Sequence, residues 1–455
     1  MFWPVYPGIL DEITCLESIK MTLKRFVTAR GNRRDFLEKS ARNAAGVAAG
    51  VAGMTHAVSV ARSLSANETL NIAIIGLRSR GKKLGEIFAS LPNCRVVSIC
   101  DVDGAMFAPA STAIETHQNK PAWVRDFRRV LDDKSVDAVV IATPDHWHGL
   151  MTVMACEAGK DVYVEKPMAH NIDEERRIVV AANQYQRVVQ VGLQQRTSSH
   201  FQSAIEFIRS GRLGTVRLAK AWTSHQRKRM SATGDSRIPQ GVNYDMWLGP
   251  APKRAFNANR FHHSWRWFWD YGTGELGNWG IHMLDVARQG LGVELPQRVS
   301  VSGGSLYFTD QETPDTLTVG YDFGAETIVW EHRQWSHRGI EGRSAATAFY
   351  GDNGTLIVDR SGWKVYETGT NESESGTDST TEHCRDFVNA VRSRSQPTGD
   401  VESARISGAL CHLGNIATRA KTDLLIHSDD ANLGLQNDAV AMLGRSHRER
   451  WSFSV

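Results

Sequence analysis

The spacing of apolar positions changes near residue 193. Upstream, short continuous apolar runs alternate with stretches of helical period. Leu70–Ile75, Arg95–Cys100, Val136–Ala142, Val162–Val164 and Val188–Leu193 read as buried strands. Helical spacing runs through Leu84, Ile87, Phe88 and Leu91, over Trp123–Leu131, from Asp145 through Met151 and Met154, and over Asp173–Gln184. Strands that alternate with helices predict a parallel, doubly wound α/β sheet of the Rossmann type. Downstream the alternation stops. One more helix, Phe201–Ser210, and a strand, Val216–Ser224, precede a long polar loop, His225–Val242. Strands are then predicted at Arg298–Ser302, Thr316–Tyr321, Glu326–His332, Ala346–Tyr350, Thr355–Asp359 and Trp363–Glu367. Together they predict an α+β domain with a large open, mostly antiparallel sheet. Glu367–Thr381 lacks apolar residues and reads as a mobile surface loop, and helices over Glu382–Arg394 and Val401–Arg419 close the domain. The division is a leader over 1–61, a nucleotide-binding domain over 68–193, and a substrate-binding and oligomerisation domain over 194–455.

Composition adds bounds. With 41% hydrophobic and 23% charged residues among 455, the chain has the balance of a soluble globular protein, and no apolar run is long enough to predict an integral membrane protein. Residues 1–61 hold eight Lys/Arg and five Asp/Glu, which leaves 45 of each in the remainder. The basic excess therefore belongs to the leader, and nucleic-acid binding is not indicated. In the leader, Asn32-Arg33-Arg34-Asp35-Phe36-Leu37 resembles a bacterial twin-arginine export signal. A weakly apolar stretch, Ala41–Ala57, follows, and Ser59-Val60-Ala61 offers a signal-peptidase site. The expectation is folded export to the periplasm through the twin-arginine machinery. Six cysteines without a C-x-x-C pair predict buried small hydrophobes, and no metal site is expected: the His146-x-His148 pair has no accompanying carboxylate or cysteine cluster.

The chemistry lies where strands end. Gly76-Leu77-Arg78-Ser79-Arg80-Gly81 joins the first strand to a helix, the context of a dinucleotide fingerprint. Gly76 makes the tight turn, Gly81 permits close packing, and Arg78 stands where the fingerprint has its middle glycine. The helix amino-terminus at Ser79 and Arg80 is suited to a pyrophosphate. Asp101 ends the next strand, twenty residues after Gly81. A carboxylate there accepts from a ribose 2′-hydroxyl and repels a 2′-phosphate, so NAD is expected over NADP. Thr143, Pro144 and His148 follow the next strand and are expected beside the cofactor. Glu165-Lys166-Pro167 ends the one after, with Pro167 holding Lys166 extended. Partial burial and neighbouring positive charge lower a lysine's pKa toward neutrality.

These residues, with a later helix, resemble the glucose–fructose oxidoreductase and inositol dehydrogenase family (Gfo/Idh/MocA), from about Asn71 to the carboxy-terminus. The resemblance implies a nicotinamide cofactor, a sugar or polyol substrate, a homo-oligomer built on the outer face of the open sheet, and the lysine of Glu-Lys-Pro near the reacting carbon. The later helix carries Asn278, His282 and Asp285 at a spacing that shares one face. The family's pattern there begins with Asp, and its histidine acts with the lysine. Here the first position is Asn278, which orients groups and exchanges no proton, so His282 is the expected acid–base partner of Lys166. Arg196, Trp269 and Asp285 are candidate substrate residues; of the three tryptophans in Trp265–Trp269, one or two are expected to line a pocket. Three activities remain open at this level: an NAD-dependent oxidoreductase acting on a sugar, polyol or glycoside carbon, an NAD-dependent glycosidase that uses transient oxidation, and a non-catalytic sugar-binding protein.

Overall fold

The computed structural model describes residues 68–231, 233–366, 369, 372–427, 431–435 and 438–453. The leader, with its twin-arginine segment, lies outside them. Six parallel strands, Leu70–Ile75 (β1), Cys94–Cys100 (β2), Ala122–Val124 (β3), Ala138–Ile141 (β4), Asp161–Val164 (β5) and Val189–Val191 (β6), form a sheet in the order β3-β2-β1-β4-β5-β6. The order reverses between β1 and β4, and ligands of doubly wound sheets bind at that crevice, at the carboxyl ends of the strands. The central strands β4 and β5 are buried throughout, which is why Ala138–Ile141 and, after Asp161, Val162–Val164 read as unbroken apolar runs.

One predicted helix is corrected. Trp123 and Val124 belong to the edge strand β3, paired with Ile99 and Cys100, and the helix starts only at Phe127. Asp126 sets that start: its carboxylate accepts from Arg128 N at 3.0 Å, an N-cap that leaves the preceding residues extended. The helix Phe107–Glu115 was not foreseen.

The second half is a nine-stranded sheet formed by Val216–Thr223 (β7), Arg298–Gly304 (β8), Thr316–Asp322 (β9), Thr327–Arg333 (β10), Ala345–Gly351 (β11), Gly354–Asp359 (β12), Gly362–Tyr366 (β13), Ser373–Ser375 (β14) and Leu424–Leu425 (β15). Its order is β14-β13-β12-β11-β7-β10-β9-β8-β15, antiparallel except for the β7–β10 pair. The expected loop before the closing helices contains β14: Gly362, Trp363 and Lys364 offer an open strand edge, and the Glu374 carboxylate accepts from the Trp363 indole at 3.3 Å and from the Ser203 hydroxyl.

The helix Thr380–Ser393 returns to the first sheet. Its Phe387 packs against Phe88 and Tyr163 at 6.1 and 5.9 Å between ring centroids. The carboxy-terminal segment returns as well: Arg445 Nε reaches the buried Glu174 at 2.7 Å, and Trp451 packs on Trp147 at 4.9 Å. Packing thus crosses the expected boundary at residue 193 in two places. The five described cysteines are free and buried, as small hydrophobes. Among the described residues no helix is long and apolar enough to cross a membrane.

Candidate active site

The turn after β1 is built for close approach. Gly76 has φ +87°, and a Cβ there would stand 2.7 Å from the Ala142 carbonyl oxygen; a Cβ on Gly81 would stand 1.7 Å from the Gly76 carbonyl oxygen. Gly81 thus lies behind the turn and locks helix to strand. Arg78, at the departure from the fingerprint, has φ −72°, which any residue adopts, so the missing glycine costs the backbone nothing. Its side chain is exposed on the rim. No side chain caps the helix Ser79–Ser90, so its first N–H groups remain available to an anion.

A cleft of about 380 Å³ opens at this turn and runs to the second domain. Gly76, Arg78, Ser79, Arg80 and Asp101 line it, as do Thr143, Pro144, His148, Glu165 and Lys166. The Asp101 carboxylate is held by Leu77 N at 2.7 Å and Asp103 N at 2.9 Å, and burial, against those bonds, pushes its pKa up to about 6. His148 braces two strand-end loops, its ring nitrogens 2.7 and 2.9 Å from the carbonyl oxygens of Pro167 and Thr143. Arg80 Nε pairs with Glu165 at 2.6 Å. Burial raises the Glu165 carboxyl, and Arg80 outweighs it, so the carboxyl titrates below its ordinary value. The buried Arg80 Nη2 and Thr143 Oγ1 have no hydrogen-bond partner among the described residues. Two orphaned polar atoms beside an uncapped helix start fit a dinucleotide, whose phosphates and carboxamide are rich in acceptors and donors.

Lys166 stands at the far end. Its Nζ donates to the Asn278 carbonyl at 2.7 Å and lies 3.2 Å from Asn278 Oδ1. Burial pushes its pKa down to about 8; Glu165 and Asp145 oppose the shift, while Arg266 and Arg360 add to it. Asn278 sits in a π-turn, Leu276–Gly280, at the start of the helix Ile281–Leu291; such turns widen a helix and recur at functional sites. His282 lines the cleft one turn on, and its Nδ1 has no partner among the described residues. Burial, then Arg360 and Lys166, hold its pKa well below the ordinary histidine value, so the ring is neutral at physiological pH. Of the pair, the lysine titrates near neutrality and the histidine does not.

Three candidate substrate residues are corrected. Arg196 and Asp285 form a buried ion pair at 2.9 and 2.6 Å; the hydroxyl of Ser407 and the amide of Gln289 also donate to the carboxylate, and Arg288 lies 4.0 Å from it. With 8% and 1% exposure, neither lines the cleft. The π-turn and helix aim Asn278 and His282 at Lys166, while Asp285 turns to Arg196 in the interior. Trp269 is held by Glu312 at its N–H and lies under Arg419, away from the cleft; of the three tryptophans, Trp265 alone lines it. Sequence reasoning missed Arg266, Arg360, Asp145 and Trp279, all of which line the cleft. Only Arg266 carried a signal, from its place among the tryptophans. Among the described residues no three His, Cys, Asp or Glu side chains converge as metal ligands.

A Rossmann crevice that faces a lysine tuned near neutrality, with the segment 262–266, the π-turn and Arg360 as second wall, defines a nicotinamide-dinucleotide oxidoreductase. Two family models match: the oxidoreductase family's NAD-binding Rossmann fold over residues 70–193, and its C-terminal alpha/beta domain over residues 219–453. The chain belongs to the Gfo/Idh/MocA oxidoreductase family. It is 24% identical over 302 residues to the uncharacterized oxidoreductase YrbE of Bacillus subtilis (strain 168), a match spanning 65% of this chain and 76% of that one. It is 36% identical over 125 residues to glycosyl hydrolase family 109 protein 2 of Shewanella sp. (strain ANA-3), covering 26% of this chain and only 27% of that relative. The fold matches the aldose-aldose oxidoreductase of Caulobacter crescentus, solved with glycerol, at a TM-score of 0.61 and 18% identity, over 79% of this chain and all of that one.

Proposed function

We propose that this chain oxidises or reduces a hydroxyl-bearing carbon of a sugar or polyol, with NAD as the cofactor and Lys166 as the proton-transfer group. The observation that carries this reading is the placement of Lys166: a lysine with a pKa of about 8, held by Asn278 in the same cleft as the glycine turn. Arg78, Ser79 and the open helix start would hold the pyrophosphate, and Asp101 the ribose. A bound nicotinamide supplies the two-electron acceptor or donor. In the oxidative direction the neutral Lys166 amine accepts the hydroxyl proton; in the reductive direction the ammonium returns it. Asn278 fixes the amine through its backbone carbonyl and amide oxygen. The neutral His282 ring orients the reacting hydroxyl by hydrogen bond, and Trp265 and Trp279 offer faces for sugar C–H surfaces. The names of the Caulobacter and Shewanella relatives support the sugar class. The test is a panel of sugars, polyols and glycosides offered to purified holo-protein, with cofactor absorbance and products read together. Absence of turnover from the whole panel sinks the proposal.

A second reading is favoured by the glycosyl hydrolase match over 125 residues. Oxidation at C3 would acidify the C2–H, permit elimination of the aglycone from C1, and be reversed after water adds across the resulting double bond. Its signature is glycoside cleavage without net change in cofactor. We also propose delivery to the periplasm in folded form, on the strength of Arg33-Arg34 and the weakly apolar stretch after them, and assembly of copies through the outer face of the nine-stranded sheet.

A further inference from the structure

Charge is unevenly matched in the cleft. The carboxylates that act on Lys166, Arg266 and Arg360, and Asp359 beside Arg360 in sequence, each have a hydrogen-bond or ion-pair partner. Glu165 pairs with Arg80 at 2.6 Å, and Asp145 accepts from the Thr273 hydroxyl at 2.8 Å. Glu275 pairs with Arg227 at 2.8 Å, Asp359 with Arg343 at 2.7 Å, and Asp378 accepts from Thr380 N and Oγ1 at 3.0 and 2.7 Å. Arg266 and Arg360, by contrast, make no ion pair among the described residues. Arg266 donates to the His263 carbonyl and lies 4.5 Å from the Trp265 ring centroid; Arg360, on the turn between β12 and β13, lies 4.5 Å from the Trp279 ring centroid. An aromatic face supports a guanidinium and leaves its planar edge of donors open. Both arginines line the cleft at the Lys166 end, from different elements, and both act on Lys166 electrostatically. Asp145 and Glu275 act on Arg266 and Asp378 and Glu165 on Arg360 from beyond ion-pair distance, so both guanidinium groups keep donors free for an anion in the cleft.

We propose that Arg266 and Arg360 form an oxyanion site for the substrate, so that the sugar acted on carries an acidic group, a carboxylate or a phosphate. The inference rests on the sugar-oxidoreductase reading and narrows its substrate class. A planar fork suits a carboxylate by two parallel N–H···O bonds and suits a phosphate comparably. The reacting hydroxyl then lies at Lys166 while the acid is held by the arginines. Anion binding also restores positive charge to the lysine, so its pKa rises in the complex.

The test measures equilibrium binding to NAD-loaded protein by tryptophan fluorescence, independently of turnover. The probes are methyl hexuronides, hexose 6-phosphates and the neutral methyl hexosides, each in several configurations. The proposal expects an anionic probe to bind at least about tenfold more tightly than its neutral parent, a preference that falls with salt, and expects Arg360→Gln and Arg266→Gln each to narrow it by about tenfold, the scale of a charge-assisted pair. Carboxylate and phosphate arms then say which oxyanion is meant. Where a probe turns over, the limb in kcat should lie at higher pH than that in kcat/KM for the anion and not for its neutral parent. Equal affinity for anionic and neutral probes overturns the proposal. So does loss of NAD affinity in Arg266→Gln with the anion preference intact in Arg360→Gln, since that outcome makes Arg266 a cofactor ligand. Arg360 sits on an exposed turn, so its variant keeps the test open if the half-buried Arg266 variant fails to fold. An anion preference without any hydride transfer would sink the oxidoreductase proposal and leave this one standing.

Discussion

Replacing Asn278 with Asp places a carboxylate where a neutral amide now meets Lys166. The amide oxygen is 3.2 Å from Nζ. Two unit charges at that distance interact by about 5 kcal/mol at an effective dielectric of about 20, before the cost of desolvating the new carboxylate is subtracted. An opposite charge this close shifts a pKa by about 1–3 units, and the sign for a lysine is upward. Lys166 then moves from about 8 toward its ordinary range. In the oxidative direction the working form is the neutral amine. A two-unit rise reduces that form at about pH 7.5 from about a quarter to about 0.3%, a loss of roughly 75-fold. The reductive direction uses the ammonium, so Asn278→Asp should retain or extend its activity on the alkaline side. The assay is the pH–rate profile in both directions, with NAD affinity measured in parallel. Asn278→Ala is the control: it removes the amide oxygen and leaves the backbone carbonyl at 2.7 Å, so its limb should not move upward. If the two directions respond alike, or if Asn278→Asp leaves the limb near pH 8 in protein that still binds NAD, Lys166 is not the group that titrates in turnover.

Other expectations are quickly stated. Lys166→Ala should lower kcat by about 10²-fold or more with a smaller change in NAD affinity, and near-normal turnover would place the chemistry on another residue. Preference for NAD over NADP should weaken as pH falls through about 6, where the raised Asp101 carboxyl gains its proton, and Asp101→Asn should show the weaker preference at every pH; dissociation constants across pH 5 to 8 decide it. Arg196→Met should destabilise the fold by about 3 kcal/mol in denaturant titrations, because it leaves the buried Asp285 with only Arg288, 4.0 Å away, as counter-charge, while KM stays put in the folded fraction. Lysines at Arg33 and Arg34 should keep the protein inside the cell on fractionation, and unchanged delivery outside the cytoplasm refutes the twin-arginine assignment.

What could be read from the sequence follows the range of the forces involved. β1, β4 and β5 were legible because a strand buried on both faces has to be apolar along its whole length, and the glycine turn because a Cβ at Gly81 has nowhere to go. Lys166 was legible for a related reason: its neighbours in sequence, Glu165 and Pro167, fix its surroundings. The edge strand β3 was misread because a three-residue edge has no two-sided burial to signal it, and the aromatic spacing of Trp123 and Phe127 imitates a helix. Asp285 was misread for a deeper reason. Helical spacing states which residues share a face; it does not state what that face meets. The π-turn shifts Asn278 and His282 toward Lys166, and the partner that draws Asp285 inward, Arg196, comes from the segment after β6, 89 residues earlier. Arg360 is the extreme case, since it sits on a β-turn with no motif around it and reaches the cleft only because nine strands stack in a particular order. The chemistry common to a family therefore lies in short-range patterns, and what distinguishes one substrate from another lies in residues such as Arg266 and Arg360, whose surroundings only the folded chain creates.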